Sequence, residues 1–283
     1  MEREPATGLG LLLLGAGIAA SALLGPLVFG TIQFRVSASA ENQLLGGDVV
    51  SLFVAAPLAV AAGVLWLRRS RLAAPLAVAP GLYAVYLYVQ YVLGPEYDRY
   101  PGNNEGFFPL YLALIIVGWV TALRAWQAMG SQGLPPPSSG LRRTLAALLL
   151  LLGVLFALTW LRSIADVVAG SGGDEYQEHP TLFWLVRLMD LAFIIPAALA
   201  TGAGLLRRAP WAVRTGYALA GFLTLLVAAV AGMAVTMEVR GDPAADRAFL
   251  AGTLLATAAF AAVYAALLRR AAQRAPARQA VPR

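Results

Sequence analysis

Eight apolar runs, separated by short polar loops, make up most of the 283-residue chain. Each run holds about 20 apolar residues, the number that a helix needs to cross the ~30 Å hydrocarbon core of a bilayer. Backbone groups in lipid must be hydrogen-bonded within the spanning segment, so helices are the default. The runs predict an all-α integral membrane protein, an eight-transmembrane-helix bundle that forms one polytopic domain over residues 1–283. The predicted helices cover residues 8–30, 48–67, 73–94, 107–126, 145–161, 179–208, 211–237 and 249–268.

The composition excludes several kinds of chemistry. All 21 basic residues are arginine, cysteine is absent, and His179 is the single histidine. Without lysine there is no Schiff base for retinal or pyridoxal, and without cysteine there is no thiolate metal site or iron–sulfur cluster. We therefore expect no cofactor and no metal site. The formal net charge of +6 comes from short arginine clusters between the apolar runs, which are typical of topology signals and not of nucleic-acid binding.

The loops alternate in charge along the chain. Arginines follow the second, fourth, sixth and eighth runs, whereas the other loops are acidic or mixed. By the positive-inside rule this pattern predicts both termini in the cytoplasm, with the lipid bilayer as the main partner. Arginine without lysine, in an alanine-rich chain, is typical of a high-GC bacterium, so we expect a bacterial cytoplasmic (inner) membrane protein. Residues 271–283 are predicted to be a disordered tail. Cleavage of the first run near residues 37–40 is the alternative to its retention, but the segment before it is not basic.

The second and sixth helices share an order of features. Each has an aspartate, then a proline, then an arginine pair: Asp48, Pro57 and Arg68–Arg69 in one, and Asp190, Pro196 and Arg207–Arg208 in the other. The proline lies eleven residues before the arginine pair in both helices, whereas the aspartate lies nine and six residues before the proline. With a Gly/Ser/Pro connector near the midpoint, these features predict a 4+4 parallel internal repeat with halves 1–130 and 141–270. The alternative is that helices rich in small apolar residues align by chance.

Ionisable and polar groups inside the helices indicate where a site would lie. An Asp or Arg near the centre of a spanning helix costs roughly 3 kcal/mol, so such residues are usually functional. In the predicted topology these groups are concentrated toward the outer face. They predict an outward-facing substrate or ion pathway. The predicted pathway residues are Asp48, Arg187, Asp190, Glu41, Gln90, Tyr83 and Tyr86.

Alternative interpretations remain open for several of these residues. Arg187 and Asp190 are three residues apart on one helical face, so they would form a pair that only neutralises their charges. Pro57 and Pro196 would either free a carbonyl for ligand binding or simply kink their helices. Tyr91 is typical of the aromatic belt at a membrane interface.

The chain contains the segments GGDVVSLFVAAPL, NNEGFFPLYLALIIVGW and LMDLAFIIPAAL. In these segments it resembles an uncharacterised family of bacterial multi-pass membrane proteins. The resemblance covers roughly residues 48–208. It implies a multi-pass helical fold and no particular activity.

Three functions fit these patterns. The leading hypothesis is a transporter or channel-like protein for a small solute or ion. The second is an intramembrane enzyme that acts on a lipophilic or lipid-linked substrate at the outer leaflet, with Asp48 and Asp190 as acid and base. The third is a sensor or assembly subunit without small-molecule chemistry, for which the short loops offer little surface.

Overall fold

A computed structural model describes residues 4–273 of the chain. This part of the chain is helical and contains no β-strand. Eight of its helices are long and apolar enough to cross a membrane, which confirms the predicted multi-pass helical class. They are α1 (Pro5–Leu24), α2 (Ala38–Leu67), α3 (Ala73–Leu93), α4 (Asn104–Ser131), α5 (Ser139–Val168), α6 (Pro180–Leu206), α7 (Pro210–Val239) and α8 (Arg247–Gln273). A short helix, Asp174–Glu178, precedes α6.

The helix α2 begins ten residues before the predicted start at Asp48. Ser37 caps its first turn, because the serine side chain accepts a hydrogen bond from the Ala40 N–H. The polar residues 41–43, which resemble a loop in the sequence, therefore lie in the first turns of this helix.

Other helix ends also differ from the predicted runs. The helix α1 ends at Leu24, and the residues up to Gly30 form turns, since the residue before a proline, here Gly25, disfavours the helical conformation. The helix α8 continues to Gln273, so the first three residues of the predicted disordered tail are helical. The remainder of that tail, residues 274–283, lies outside the described part of the chain.

The helices α2 and α6 share three local features at the same spacing. Each contains a π-helical turn, Ser51–Ala55 in α2 and Asp190–Ile194 in α6, that begins six residues before the proline. Each ends next to an arginine in the left-handed region, Arg69 and Arg208, both with φ of 57°. A left-handed arginine is uncommon, so its occurrence at both helix ends indicates that the two helices are built alike.

By their order along the chain we divide the eight helices into two groups of four, α1–α4 and α5–α8. Within each group the first helix contacts the second, the second the third, the third the fourth, and the fourth returns to the first. Across the groups, α7 packs against α2 and α3, and α6 reaches α3. The helices α3 and α7 are the most buried of the eight, so side chains that converge on α3 lie at the centre of the bundle.

The two ends of the bundle differ in charge. We call one the acidic end; its connecting segments are residues 25–37, 94–103, 169–179 and 240–246. The arginine end holds both ends of the described chain, residues 4 and 273, and the connecting segments 68–72, 133–138 and 207–209. The acidic residues within the helices lie toward the acidic end: Glu41, Asp48, Glu105, Asp166, Asp190 and Glu238.

Candidate functional site

Asp48 lies in α2, one turn before the π-helical turn, and only 2% of the residue is exposed. The hydroxyl of Tyr91 donates a hydrogen bond to its Oδ1 atom at 2.8 Å. Its Oδ2 atom is buried and receives no hydrogen bond from the described residues. Buried polar atoms are nearly always paired, so an unpaired carboxylate oxygen needs an explanation.

Four buried tyrosines surround this carboxylate and form what we call the tyrosine cluster: Tyr83, Tyr88, Tyr91 and Tyr111. The Tyr91 ring centroid lies 5.4 Å from that of Tyr88 and 5.8 Å from that of Tyr111. Tyr83 shares a hydrogen bond of 2.8 Å with Ser51 of the π-helical turn. The Tyr111 hydroxyl, like Asp48 Oδ2, has no hydrogen-bond partner among the described residues. The cluster therefore places tyrosine hydroxyl oxygens, which are hard ligands, among tightly packed aromatic rings.

The segment 25–37 covers this cluster at the acidic end. Phe34 packs edge-on against Tyr91, with ring centroids 4.8 Å apart, and Ile32 is fully buried. Gly25 lies next to the unpaired oxygen, because a Cβ atom built on it would be 2.9 Å from Asp48 Oδ2. A side chain at residue 25 would thus occupy the space beside the carboxylate.

Asp190 lies in α6 and, in contrast to Asp48, has both carboxylate oxygens satisfied. The Tyr86 hydroxyl donates to Oδ1 at 2.8 Å, and the Trp160 indole N–H donates to Oδ2 at 2.9 Å. Two donors stabilise the buried carboxylate, so Asp190 ties α3 and α5 to the start of the π-helical turn of α6.

Arg187 pairs with Glu175 of the short helix, whereas the sequence suggested Asp190 as its partner. Its two terminal nitrogens donate to the two Glu175 oxygens at 2.7 and 2.8 Å. The guanidinium carbon lies 3.6 Å from the ring centroid of Phe183 and 4.3 Å from that of Trp160. The predicted Arg187–Asp190 pair is therefore replaced by a fork-shaped ion pair between two aromatic rings.

The predicted common site is divided between two places on α3. Asp48 binds Tyr91 and Asp190 binds Tyr86, and these tyrosines are five residues apart, about 140° around the helix. Gln90 donates a hydrogen bond to the Tyr86 carbonyl at 3.4 Å. Glu41 is exposed in the first turn of α2. Tyr83 thus belongs with the residues around Asp48. Tyr86 and Gln90 belong with those around Asp190, and Glu41 belongs with neither.

When α2 and α6 are aligned on their prolines, Asp48 no longer corresponds to Asp190. Asp48 lies nine residues before Pro57, and Arg187 lies nine residues before Pro196. Asp190 corresponds in the same way to Ser51, the other end of the i, i+3 pair. Nine residues before its proline, α6 thus has an arginine where α2 has Asp48.

Several site residues could not be recognised from the sequence pattern. Tyr91 resembles a residue of the interfacial belt but is buried against Asp48. Trp160 and Glu175 reach Asp190 and Arg187 from other segments of the chain. One feature of the sequence could have pointed to these positions. It is the spacing from the prolines, which marks Ser51 and Arg187.

Loops at the acidic end are joined by side chains, and we call this set of contacts the acidic cap. Arg35 pairs with Glu105 at 2.6 Å. Asn42 donates to Asp242 at 2.8 Å, and so links the start of α2 to the segment before α8. The Ser37 N–H donates to His179 Nε2 at 3.2 Å, which joins the segment 25–37 to the start of α6. The cap connects the two four-helix groups above Asp48.

Lowering the pH should weaken the His179 contact. Burial lowers the pKa of His179, against the opposing effect of Glu178 and Glu96, and Nε2 must be neutral to accept from Ser37. Because the folded pKa lies below the ordinary value of about 6.5, the contact is complete above that pH. Its contribution to stability is lost as the pH falls, since the unfolded chain takes up the proton more readily.

We expect the thermal unfolding temperature of the protein in lipid to fall between pH 7 and pH 5 more steeply than that of the His179→Gln variant. Glutamine retains an acceptor for the Ser37 N–H and does not titrate. Equal slopes for the two proteins would show that His179 does not contribute to the pH dependence.

No family model, curated protein or solved structure matches the chain. The resemblance of its segments to a bacterial membrane family thus stays a prediction. The fold is that of a multi-pass helical membrane protein.

Proposed function

We propose that the chain is a transporter for a small solute or ion, with Asp48 on a path that opens at the outer face of the membrane. The observation that supports this proposal best is the buried Asp48 Oδ2 atom without a hydrogen-bond donor among the described residues. Burial of an unpaired charge costs several kcal/mol, so the carboxylate requires a partner. Ionisable groups inside membrane proteins usually mark ion and substrate pathways.

The proposed orientation has both termini in the cytoplasm and the acidic end outside, in a bacterial inner membrane. Positively charged loops are retained on the cytoplasmic side. The segments at the arginine end contain Arg68, Arg69, Arg71, Arg207 and Arg208. Those at the acidic end contain Glu96, Asp98, Asp174, Glu175, Glu178 and Asp242, with fewer arginines.

The proposal includes a parallel 4+4 repeat of the two helix groups. The π-helical turns, prolines and left-handed arginines of α2 and α6 support it, as does the matching order of contacts within each group. Parallel repeats place two equivalent helices around an axis along the membrane normal, and binding sites of transporters often lie where such repeats meet.

Close contacts between the first two helices of each group support the repeat further. A Cβ atom on Gly63 would lie 2.9 Å from the Gly8 carbonyl and 3.0 Å from the Leu12 side chain. The corresponding atom on Gly202, 139 residues later, would lie 3.1 Å from the Ala146 carbonyl and 2.8 Å from the Leu150 side chain. Matching partners at matching distances are not expected of helices that resemble each other only in composition.

The break in α2 provides a mechanism for coupling binding to movement. Pro57 has no N–H, so the carbonyl four residues earlier, Phe53, loses its helical donor. A π-helical turn at the same place lowers the regularity of the helix. Asp48 and Ser51 lie at the outer side of this break, so a bend there would move the carboxylate relative to α1 and the segment 25–37. Ligand binding would then favour one bend of α2.

The enzyme hypothesis is less well supported by the same geometry. An acid and a base that act on one substrate must both reach it. Asp48 and Asp190 instead bind hydroxyls on different sides of α3, and both oxygens of Asp190 are already engaged.

We expect purified protein in proteoliposomes to move at least one of H+, Li+, Na+ or K+ across the bilayer, measured as transient currents after rapid exchange of the external solution. Asp48→Asn removes the charge at nearly constant shape and should reduce the current to that of protein-free liposomes. Asp98→Asn makes the same chemical change at an exposed loop position and should leave the current unchanged. Currents absent for all four cations, or unaffected by Asp48→Asn, would contradict the proposal.

A further inference from the structure

The geometry at the end of α1 points to the ligand of the Asp48 site, and we propose that it is a single dehydrated Na+ ion. The role of this ion in transport rests on the proposed function, whereas its binding can be tested separately. The site consists of Asp48 Oδ2, the last carbonyls of α1 and the tyrosine cluster.

Three oxygen atoms converge on the space beside Gly25. A Cβ atom built there would lie 2.9 Å from Asp48 Oδ2, 3.3 Å from the Ser21 carbonyl oxygen and 3.5 Å from the Ala22 carbonyl oxygen. The Gly25 N–H already donates to the Ser21 carbonyl at 3.0 Å, whereas the Ala22 carbonyl has no donor four residues later because residue 26 is proline. The unpaired carboxylate oxygen thus lies beside the carbonyl end of α1.

The electrostatics of this place are unfavourable without a cation. The carbonyl end of a helix has a partial charge of roughly −0.5, and the Asp48 carboxylate lies against the carbonyl end of α1. No described arginine forms an ion pair with Asp48; the ion pairs of the described chain lie elsewhere. Two negative groups with no positive partner repel each other, and a bound cation between them would turn that repulsion into attraction.

The donor set selects a small, hard, monovalent cation. All candidate ligands are oxygen atoms, which suit alkali and alkaline-earth ions. Divalent ions such as Ca2+ take six to eight oxygens, usually with several carboxylates, and no group of three or more acidic or histidine side chains in residues 4–273 is suited to a metal. One carboxylate neutralises one monovalent charge.

Tyr111 is another buried side chain whose polar atom lacks a partner. Only 1% of it is exposed, its hydroxyl is unpaired among the described residues, and its ring centroid lies 5.8 Å from that of Tyr91, which binds Asp48. A phenol oxygen is an acceptor for a cation as well as for a hydrogen bond. The ion would therefore satisfy Asp48 Oδ2 and the Tyr111 hydroxyl together.

The test is equilibrium binding of radiolabelled Na+ to the full chain in lipid nanodiscs, in choline chloride buffer. We expect saturable binding that Asp48→Asn weakens by at least about tenfold, the scale of losing a ligand interaction at a metal site. Gly25→Ala fills the space and should have a similar effect. Tyr111→Phe keeps the ring packing and should weaken binding several-fold, so it provides a readout if the other variants fold poorly. Asp98→Asn, at an exposed loop position, should bind as the wild type does, and Na+ should raise the unfolding temperature of the wild type.

Three results would overturn the assignment. One is Na+ binding that all three site variants leave unchanged. The others are a failure of the wild type to bind Na+, and an infrared band of a protonated carboxyl that is present in Na+ and missing in Asp48→Asn, which would assign the site to a proton. Na+ binding without currents in proteoliposomes would support the ion and contradict transport, whereas currents without Na+ binding would do the reverse.

Discussion

Replacing Glu175 by glutamine will destabilise the protein by about 3 kcal/mol, because the Arg187 guanidinium stays buried without its counter-charge. The Arg187 side chain is only 2% exposed, and its ion pair is with Glu175. Breaking a buried pair from one side costs about 3–5 kcal/mol, and we expect the lower value since the Glu175 side chain is 61% exposed. The variant should unfold at a lower temperature in lipid, and the outer turns of α6 should exchange amide hydrogens faster.

Removing the other partner should cost less. Arg187→Met places an apolar side chain between Phe183 and Trp160 and leaves Glu175 free to be solvated, so we expect a loss of about 1 kcal/mol. Asp174→Asn, an exposed acidic residue of the same short helix, should stay within about 0.5 kcal/mol of the wild type. If Arg187→Met were as damaging as Glu175→Gln, burial of an unpaired charge would not be the cause.

Gly46→Ala will destabilise the contact between the two helix groups by about 3 kcal/mol. A Cβ atom on Gly46 of α2 would overlap the Gly232 carbonyl and the Thr236 hydroxyl of α7, and one on Gly232 would meet the Gly46 carbonyl in return. The two backbones touch here, so no flexible side chain can move aside. Contacts of this kind between small residues are a main source of helix association in membranes.

The measurement is the midpoint of unfolding in mixed detergent and lipid, compared with Gly252→Ala. A Cβ atom on Gly252 of α8 would have no neighbour within 4 Å. That variant should be neutral or more stable by up to about 1 kcal/mol, because alanine is the better helix former. Equal midpoints for the two variants would mean that α2 and α7 do not depend on this close approach.

Much of the fold follows from the sequence, because a spanning helix needs a long apolar run whatever surrounds it. The eight runs were found in this way. The start of α2 was missed, since residues 41–43 are polar and their helical state depends on the Ser37 cap and on the Asn42 contact with Asp242. Polar turns at a membrane surface have the composition of a loop, so apolar patterns cannot distinguish them.

The site could be predicted only as a set of residues. Asp48, Arg187 and Asp190 were singled out correctly as buried, because ionisable groups in apolar runs are rare. Their partners depend on tertiary contacts: the i, i+3 spacing suggested Asp190 for Arg187, but the short helix brings Glu175 to it instead. Spacing along the chain shows which residues are able to contact each other. The tertiary packing determines which of these contacts form.

In α6 an arginine lies at the position that corresponds, by its spacing from the proline, to Asp48 in α2. This arginine has a consequence for the stoichiometry of the proposed transport. Where Gly25 leaves space beside Asp48, Ser163 accepts a hydrogen bond from the Arg187 side chain at 3.3 Å, 138 residues further along the chain. The second half thus holds a positive charge that is covalently part of the protein and cannot be released. With the Na+ site proposed at Asp48, the proposed transporter would therefore load and unload one charge per cycle, not two.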